Sequence, residues 1–117
     1  MSQEAIRSGD VTGNLFIGEE SGIVDVTEPR GKGWRKSLSA PDVLELVATG
    51  LRRMNEEITR GTVVPDATLI VSSPRNKSLR TEVFGFLEKK GFERKRRFGE
   101  EDAEDEHIYL ERRVNRA

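Results

Sequence analysis

Three stretches of this chain carry residues of types that do chemistry. Arg30-Gly31-Lys32-Gly33 places two cations among glycines. Glycine lets a backbone approach a phosphate closely, and the cations add Coulomb attraction, so the pattern suits an anion. It is not the phosphate loop of nucleoside triphosphatases. That loop needs glycine where Arg35 stands, just before Lys36-Ser37. The ordinary reading is a surface turn. Arg94-Lys95-Arg96-Arg97, with Phe92 and Phe98 nearby, suits a nucleic-acid backbone. The acidic stretch Glu100 to Glu106 follows at once and repels the same ligand. The ordinary reading here is a solvated hairpin whose opposite charges face each other. The acidic stretch lacks the glycine and spacing of a calcium loop. His107, the one histidine, stands beside Glu106 and can act as a base near neutral pH. No cysteine is present, which excludes thiol catalysis and disulfides, and no metal site is read.

The elements that must position these residues are organised around Ala67 to Phe92. Leu69-Ile70-Val71 is a continuous apolar run, expected of a strand covered on both faces. Ser73-Pro74 provides an N-cap and a proline for the first helical turn. Leu79, Val83, Phe86 and Leu87 recur at helical spacing, and Gly91 follows Lys89 and Lys90 as a helix stop. Upstream, Leu15–Ile17 and Ile23–Thr27 read as strands around a tight turn at Ser21-Gly22. Trp34–Leu38 is a further short strand in this reading. Ser39 caps a helix whose stripe is Val43, Val47, Leu51, Met54 and Ile58. Gly50 weakens that helix unless packing needs it small. Gly61 ends it. The basic run and Ile108 to Val114 close the chain as an antiparallel hairpin.

The expected fold is therefore α/β (α+β). It is a mixed, mostly antiparallel sheet with two main helices on its faces, in the order ββ(β)αβαββ. At 117 residues one domain is expected, spanning 14–117 after a polar, flexible N-terminal arm over 1–13. The net charge of −1 gives no global attraction to nucleic acid or anionic lipid. No apolar run approaches a membrane span and no signal peptide is read, so the expected location is neither membrane nor secreted.

Two segments resemble the GCN5-related N-acetyltransferase (GNAT) family. Asn76 opens a helix ending Leu87-Glu88-Lys89-Lys90-Gly91-Phe92, similar to that family's tyrosine-Glu-Lys-x-Gly-Phe ending before a closing hairpin. Arg30-Gly31-Lys32-Gly33 resembles its Arg-x-x-Gly-x-Gly/Ala loop, which holds the coenzyme A pyrophosphate. The resemblance implies a GNAT-like fold in which Arg30, Gly31, Lys32, Gly33 and Asn76 would bind acetyl-coenzyme A. The departures fall on the chemistry. Leu87 stands where the family has its tyrosine general acid, Arg35 occupies the last glycine position, and Trp34 to Ala40 separates the turn from its helix. The chain is also short before Leu15 for the family's opening strand and substrate-gripping helices. One implied reading is a non-catalytic or weakly catalytic binding and assembly module, similar to the acetyltransferase-like components of tailed-phage virions. It would be cytoplasmic or virion-associated. Its charged hairpin, Arg94, Lys95, Arg96 and Arg97, would contact other protein subunits. A second reading is an acetyl-coenzyme A-dependent N-acetyltransferase with Glu28 or His107 assisting deprotonation. A nucleic-acid-binding module is a third.

Overall fold

The structure, a computed structural model, describes residues 2–9, 11–27, 39–72, 77–96 and 108–115. Among them the elements are β1 (Ser2–Ser8), β2 (Val11–Ile17), β3 (Ser21–Val26), α1 (Ala40–Arg60), β4 (Thr68–Val71), α2 (Lys77–Lys89), β5 (Glu93–Arg96) and β6 (Ile108–Arg113). They build an α+β fold around a six-stranded sheet of order β1-β2-β3-β4-β6-β5. The β3–β4 pair is parallel and the other four pairs are antiparallel.

Three features depart from the sequence expectations. The stretch expected as an arm contains β1, whose seven residues pair in full with β2. Its hydrophobicity is low, but Gly9 (φ 58°) turns the chain tightly enough for Ser8 to pair with Val11. This is the third strand of the meander; Trp34–Leu38 lies outside the described residues. The turn between β2 and β3 falls at Gly18, whose N–H donates to the Ser21 carbonyl, so Ser21 and Gly22 belong to β3. Finally, both helices lie on one face of the sheet. Strand β4 is covered on one side only: Leu69 and Val71 are buried, while Ile70 is half-buried on the opposite face.

The packing explains that arrangement. Residues on the helix side of the sheet include Ile6, Leu15, Ile17, Val24, Leu69, Val71 and Leu110, all buried. Helix α1 meets them with Val43, Leu46, Val47 and Met54. Small residues let it come close. A Cβ at Gly50 would lie 2.7 Å from Val24 Cγ2, and one at Gly22 would lie 2.7 Å from Met54 Sδ. Helix α2 adds Leu79, Val83, Phe84 and Leu87. Phe84, not the expected Phe86, points into the core; Phe86 is 44% exposed. Both helices end as the sequence implies, at Gly61 (φ 85°) and Gly91 (φ 94°). Ser39 holds the N-cap position of α1 in extended geometry but makes no side-chain cap bond.

Strand β1 is fastened electrostatically as well as by its ladder. Glu4 faces the helices and receives two bonds from Arg53 of α1, from Nε at 2.9 Å and from Nη2 at 2.7 Å. Arg53 also pairs with Glu56 and Glu57. The hydrogen bond from Arg53 holds the Glu4 carboxyl below the usual carboxylate range. The Thr62 hydroxyl, followed by Arg53, does the same for Glu57.

Two expectations follow from this packing. Gly50→Ala gains helix propensity but forces a methyl into stiff, fully buried Val24, for a net destabilisation on the order of 1 kcal/mol. Gly85→Ala, where a Cβ meets nothing within 4 Å, stabilises by up to about 1 kcal/mol. Urea unfolding of the two variants checks the opposite signs. The second concerns pH. A carboxylate with a depressed folded pKa contributes stability that is present above its unfolded pKa and lost as pH falls through the folded one. Acidification through the depressed Glu4 and Glu57 titrations therefore loosens β1, seen as faster hydrogen exchange of the amides of residues 3–7. Arg53→Met shows that faster exchange already at neutral pH.

Candidate functional site

The sheet topology brings the described residues that flank the candidate segments to one edge. Strands β3 and β4 are parallel, so their C-terminal ends, Val26 and Val71, lie on the same side. Strand β6 runs antiparallel to β4 and begins there, and β5 ends there opposite it, with Arg96 paired to Ile108. The β1–β2 turn is at this edge too: Thr27 N–H donates to the Thr12 carbonyl, and Gly13 pairs with Val26. A Cβ at Gly9 would lie 3.5 Å from Asp42 Oδ1, which fixes the start of α1 beside that turn. The chain leaves the described residues at Thr27, Ser72 and Arg96 and returns at Ser39, Lys77 and Ile108. All six points are on this edge.

The sequence candidates Glu28, Arg30, Gly31, Lys32, Gly33, Asn76, Arg97 and His107 lie outside the described residues. They belong to the three segments that start and finish at this edge.

The parallel pair opens at the same edge. The β3–β4 ladder ends at Val24↔Val71, followed by one bond from Ser72 N–H to the Val24 carbonyl at 3.1 Å. Strand β3 continues to Val26 with β2 alone. Its flank towards β4 over Asp25–Val26 has no strand partner among the described residues. In open sheets such a crevice beyond the carboxyl ends of parallel strands is a frequent ligand position.

Arg80 adds a charge that sequence reasoning missed. It stands one turn into the described part of α2, at the end nearest this edge, and is 9% exposed. None of the ion pairs among the described residues includes it. The signal was available, since positions 80, 83, 84 and 87 share one helical face, so Arg80 had to lie on the buried stripe.

The basic run of β5 is divided by strand alternation. Arg94 faces the helices; its guanidinium pairs with Glu88 at 2.8 Å and lies 5.4 Å from the Phe84 ring centroid. Lys95 faces the open side and pairs with Glu93 at 3.3 Å. Arg96 is the last residue of the strand. The charges of Arg94 and Lys95 are thus answered within the chain and point to opposite faces.

Two further surfaces stand out. On the side that neither helix covers, one cross-strand row runs Gln3–Phe16–Ile23–Ile70–Glu111–Glu93 through all six strands. Phe16, Ile23 and Ile70 are half-buried at its centre, and half-buried Tyr109 shares the face. On the helix side, a cleft of about 290 Å³ opens between α1 and the end of α2. Leu87 lines it and is only 2% exposed. Among the described residues no cluster of three histidine, aspartate or glutamate side chains could hold a metal ion, and no helix is long and apolar enough to cross a membrane.

Comparison with known proteins returns no matching family model, no matching curated protein and no matching solved structure.

Proposed function

We propose that this chain is a GNAT-like binding and assembly module that docks onto another protein subunit through the open face of its sheet. The observation that carries the reading is the placement of both helices on one side, which leaves the Phe16–Ile23–Ile70 row uncovered by either. The layout of a helix followed by a closing hairpin supports the family resemblance: α2 leads directly into β5 and β6. So does the position of the Arg30–Gly33 segment between parallel β3 and α1. The position that holds the general acid in the resembled family is Leu87, a buried leucine with no proton to give. The resemblance to acetyltransferase-like components of tailed phages puts such a subunit in a virion assembly.

A second reading, acetyl-coenzyme A-dependent N-acetyl transfer, is favoured by one feature. The unpaired flank of β3, the start of α1 and buried Arg80 all lie towards the edge at which the chain leaves the described residues at Thr27 and returns at Ser39, on either side of Arg30-Gly31-Lys32-Gly33 in the sequence. Backbone donors and a cation at such an edge suit a pyrophosphate.

Two measurements separate these readings. Chain isolated from its native source is expected to sediment with a partner subunit. Ile23→Glu on the open face is expected to abolish that association while lowering folding stability by no more than about 2 kcal/mol, since two cross-strand pairs are lost. A lone monomer in the native source overturns the assembly reading. Calorimetry with acetyl-coenzyme A is expected to show no binding; heat that disappears in Gly33→Glu would establish the transfer reading instead.

A further inference from the structure

We infer that the start of helix α2 is a binding site for a tetrahedral oxyanion of the phosphate class, held by Arg80. Arg80 is the one charged side chain among the described residues that is buried. No ion pair or hydrogen bond among the described residues includes it. Taking a charge out of water costs free energy that a partner must offset. The described part of α2 supplies no such partner. One turn on from Arg80, the same helical face carries Val83 and Phe84, both buried and apolar. Glu82 is exposed and two positions away, so it turns to another side of the helix. The first turn of α2 holds no acidic residue.

Helix geometry directs this side chain. Every Cα–Cβ bond of an α-helix tilts towards the N-terminus, so the Arg80 side chain leads back towards the start of α2. Helix α2 has 13 residues, and its first backbone N–H groups and the positive end of its dipole lie at that start. The Arg80 stem is buried, whereas its guanidinium nitrogens are not sealed from solvent, so an ion can reach the charged head. A guanidinium only donates, in a planar fork that matches two oxygens of a phosphate. Helix N–H groups also only donate. A dianion with several acceptor oxygens answers both at once, and a helix start is a frequent place for one. Strand β4 ends at Val71, shortly before α2, which puts the site at the carboxyl ends of the parallel pair β3–β4. The open sheet face takes no part in it, and inorganic phosphate tests it without a coenzyme, so it stands or falls apart from both readings of function.

The test is an amide-resolved NMR titration of the full chain with inorganic phosphate, against sodium chloride at matched ionic strength. Phosphate is expected to give saturable shifts at the Ser78, Leu79 and Arg80 amides and at the Arg80 Nε–H, with a Kd on the order of 1 mM. Chloride is expected to give no saturable shift there. Glycerol 3-phosphate, which carries its phosphoryl group on an organic body, is expected to shift the same signals. The tighter of the two shows whether the site favours the free ion or a carried phosphoryl group. Arg80→Met is expected to abolish the saturable shifts. It is also expected to leave the thermal midpoint in phosphate-free buffer no lower than that of the native chain, because it removes a buried charge that no described residue answers. Arg80→Lys keeps the charge without the fork and is expected to weaken phosphate about fivefold or more. No saturable shift, equal shifts with chloride, shifts that persist in Arg80→Met, or shifts centred away from the start of α2 would each overturn the proposal. If Arg80→Met fails to fold, Arg80→Lys decides it, and an unchanged phosphate affinity in that variant overturns it as well.

Discussion

The close seat of helix α1 on β2 and β3 is the contact on which the rest of the molecule depends. That seat needs absent side chains. Gly50 rides over Val24, Gly22 makes room for Met54, and a Cβ at Gly13 would lie 2.9 Å from Leu46 Cδ2. Proteins pack at nearly crystalline density, so a helix held a few tenths of an ångström higher would forfeit contacts along its whole length. The seat also positions everything that follows. Helix α1 is the crossover between β3 and β4, and its height sets where β4 can join the sheet in parallel. Helix α2 packs against α1 in turn, and the hairpin β5–β6 completes the sheet beyond β4.

The outer strand β1 is held differently, and this sets a gradient of stability across the sheet. Of its side chains only Ile6 is buried. What it lacks in apolar area is supplied by a full antiparallel ladder and by the two-pronged contact between Arg53 and Glu4. Paired guanidinium and carboxylate planes give direction as well as energy, so this contact fixes the strand's register on the helix rather than merely attracting it. It is partly exposed, with side-chain exposures of 25% and 35%, and so is weakened by salt. The centre of the sheet rests on burial that neither salt nor moderate acid disturbs. Salt and acid therefore act on β1 before they act on the buried centre of the sheet.

Strong periodicity was legible in the sequence. The α1 stripe, the glycine stops at Gly61 and Gly91, and the alternation of Leu110 with Tyr109 and Glu111 each predict the element observed. Weak hydrophobicity was not. β1 is polar, and only the Gly9-Asp10 step between two seven-residue strands marks it, a short-range signal that its polar composition outweighs. The side on which α2 packs was also hidden, because a continuous Leu69-Ile70-Val71 run reads the same whether one face or two are covered. The candidate site was legible as residue types but not as a place. That the flanking residues of the three segments share one edge follows from the parallel pairing of β3 with β4 and the antiparallel pairings of β6, and pairing partners are tertiary information. The helix cleft could not be read at all. Its lining comes from two helices and the closing hairpin, and the spacing within each element says only that a face is apolar.

The open sheet face raises the question of whether its apolar row needs any partner. Cross-strand aromatic and β-branched pairs stabilise a sheet by roughly 0.2–1 kcal/mol each, so Phe16–Ile23 and Ile23–Ile70 have an intramolecular use. That use does not extend along the row. At its far end Glu111 stands directly opposite Glu93, a like-charge pair that costs stability, and Lys95 answers Glu93 from the same strand at 3.3 Å. At the near end Gln3 donates to Asn14 across the β1–β2 pair at 3.2 Å. Optimisation for the isolated sheet would favour opposite charges facing each other at that end. In the proposed assembly, an apolar centre with polar and acidic ends would serve as a docking surface, its middle dried by a partner while its rim stays wet. The acidic end gives such a surface a direction: a partner carrying a basic group there would relieve the repulsion between Glu93 and Glu111 that the free chain carries.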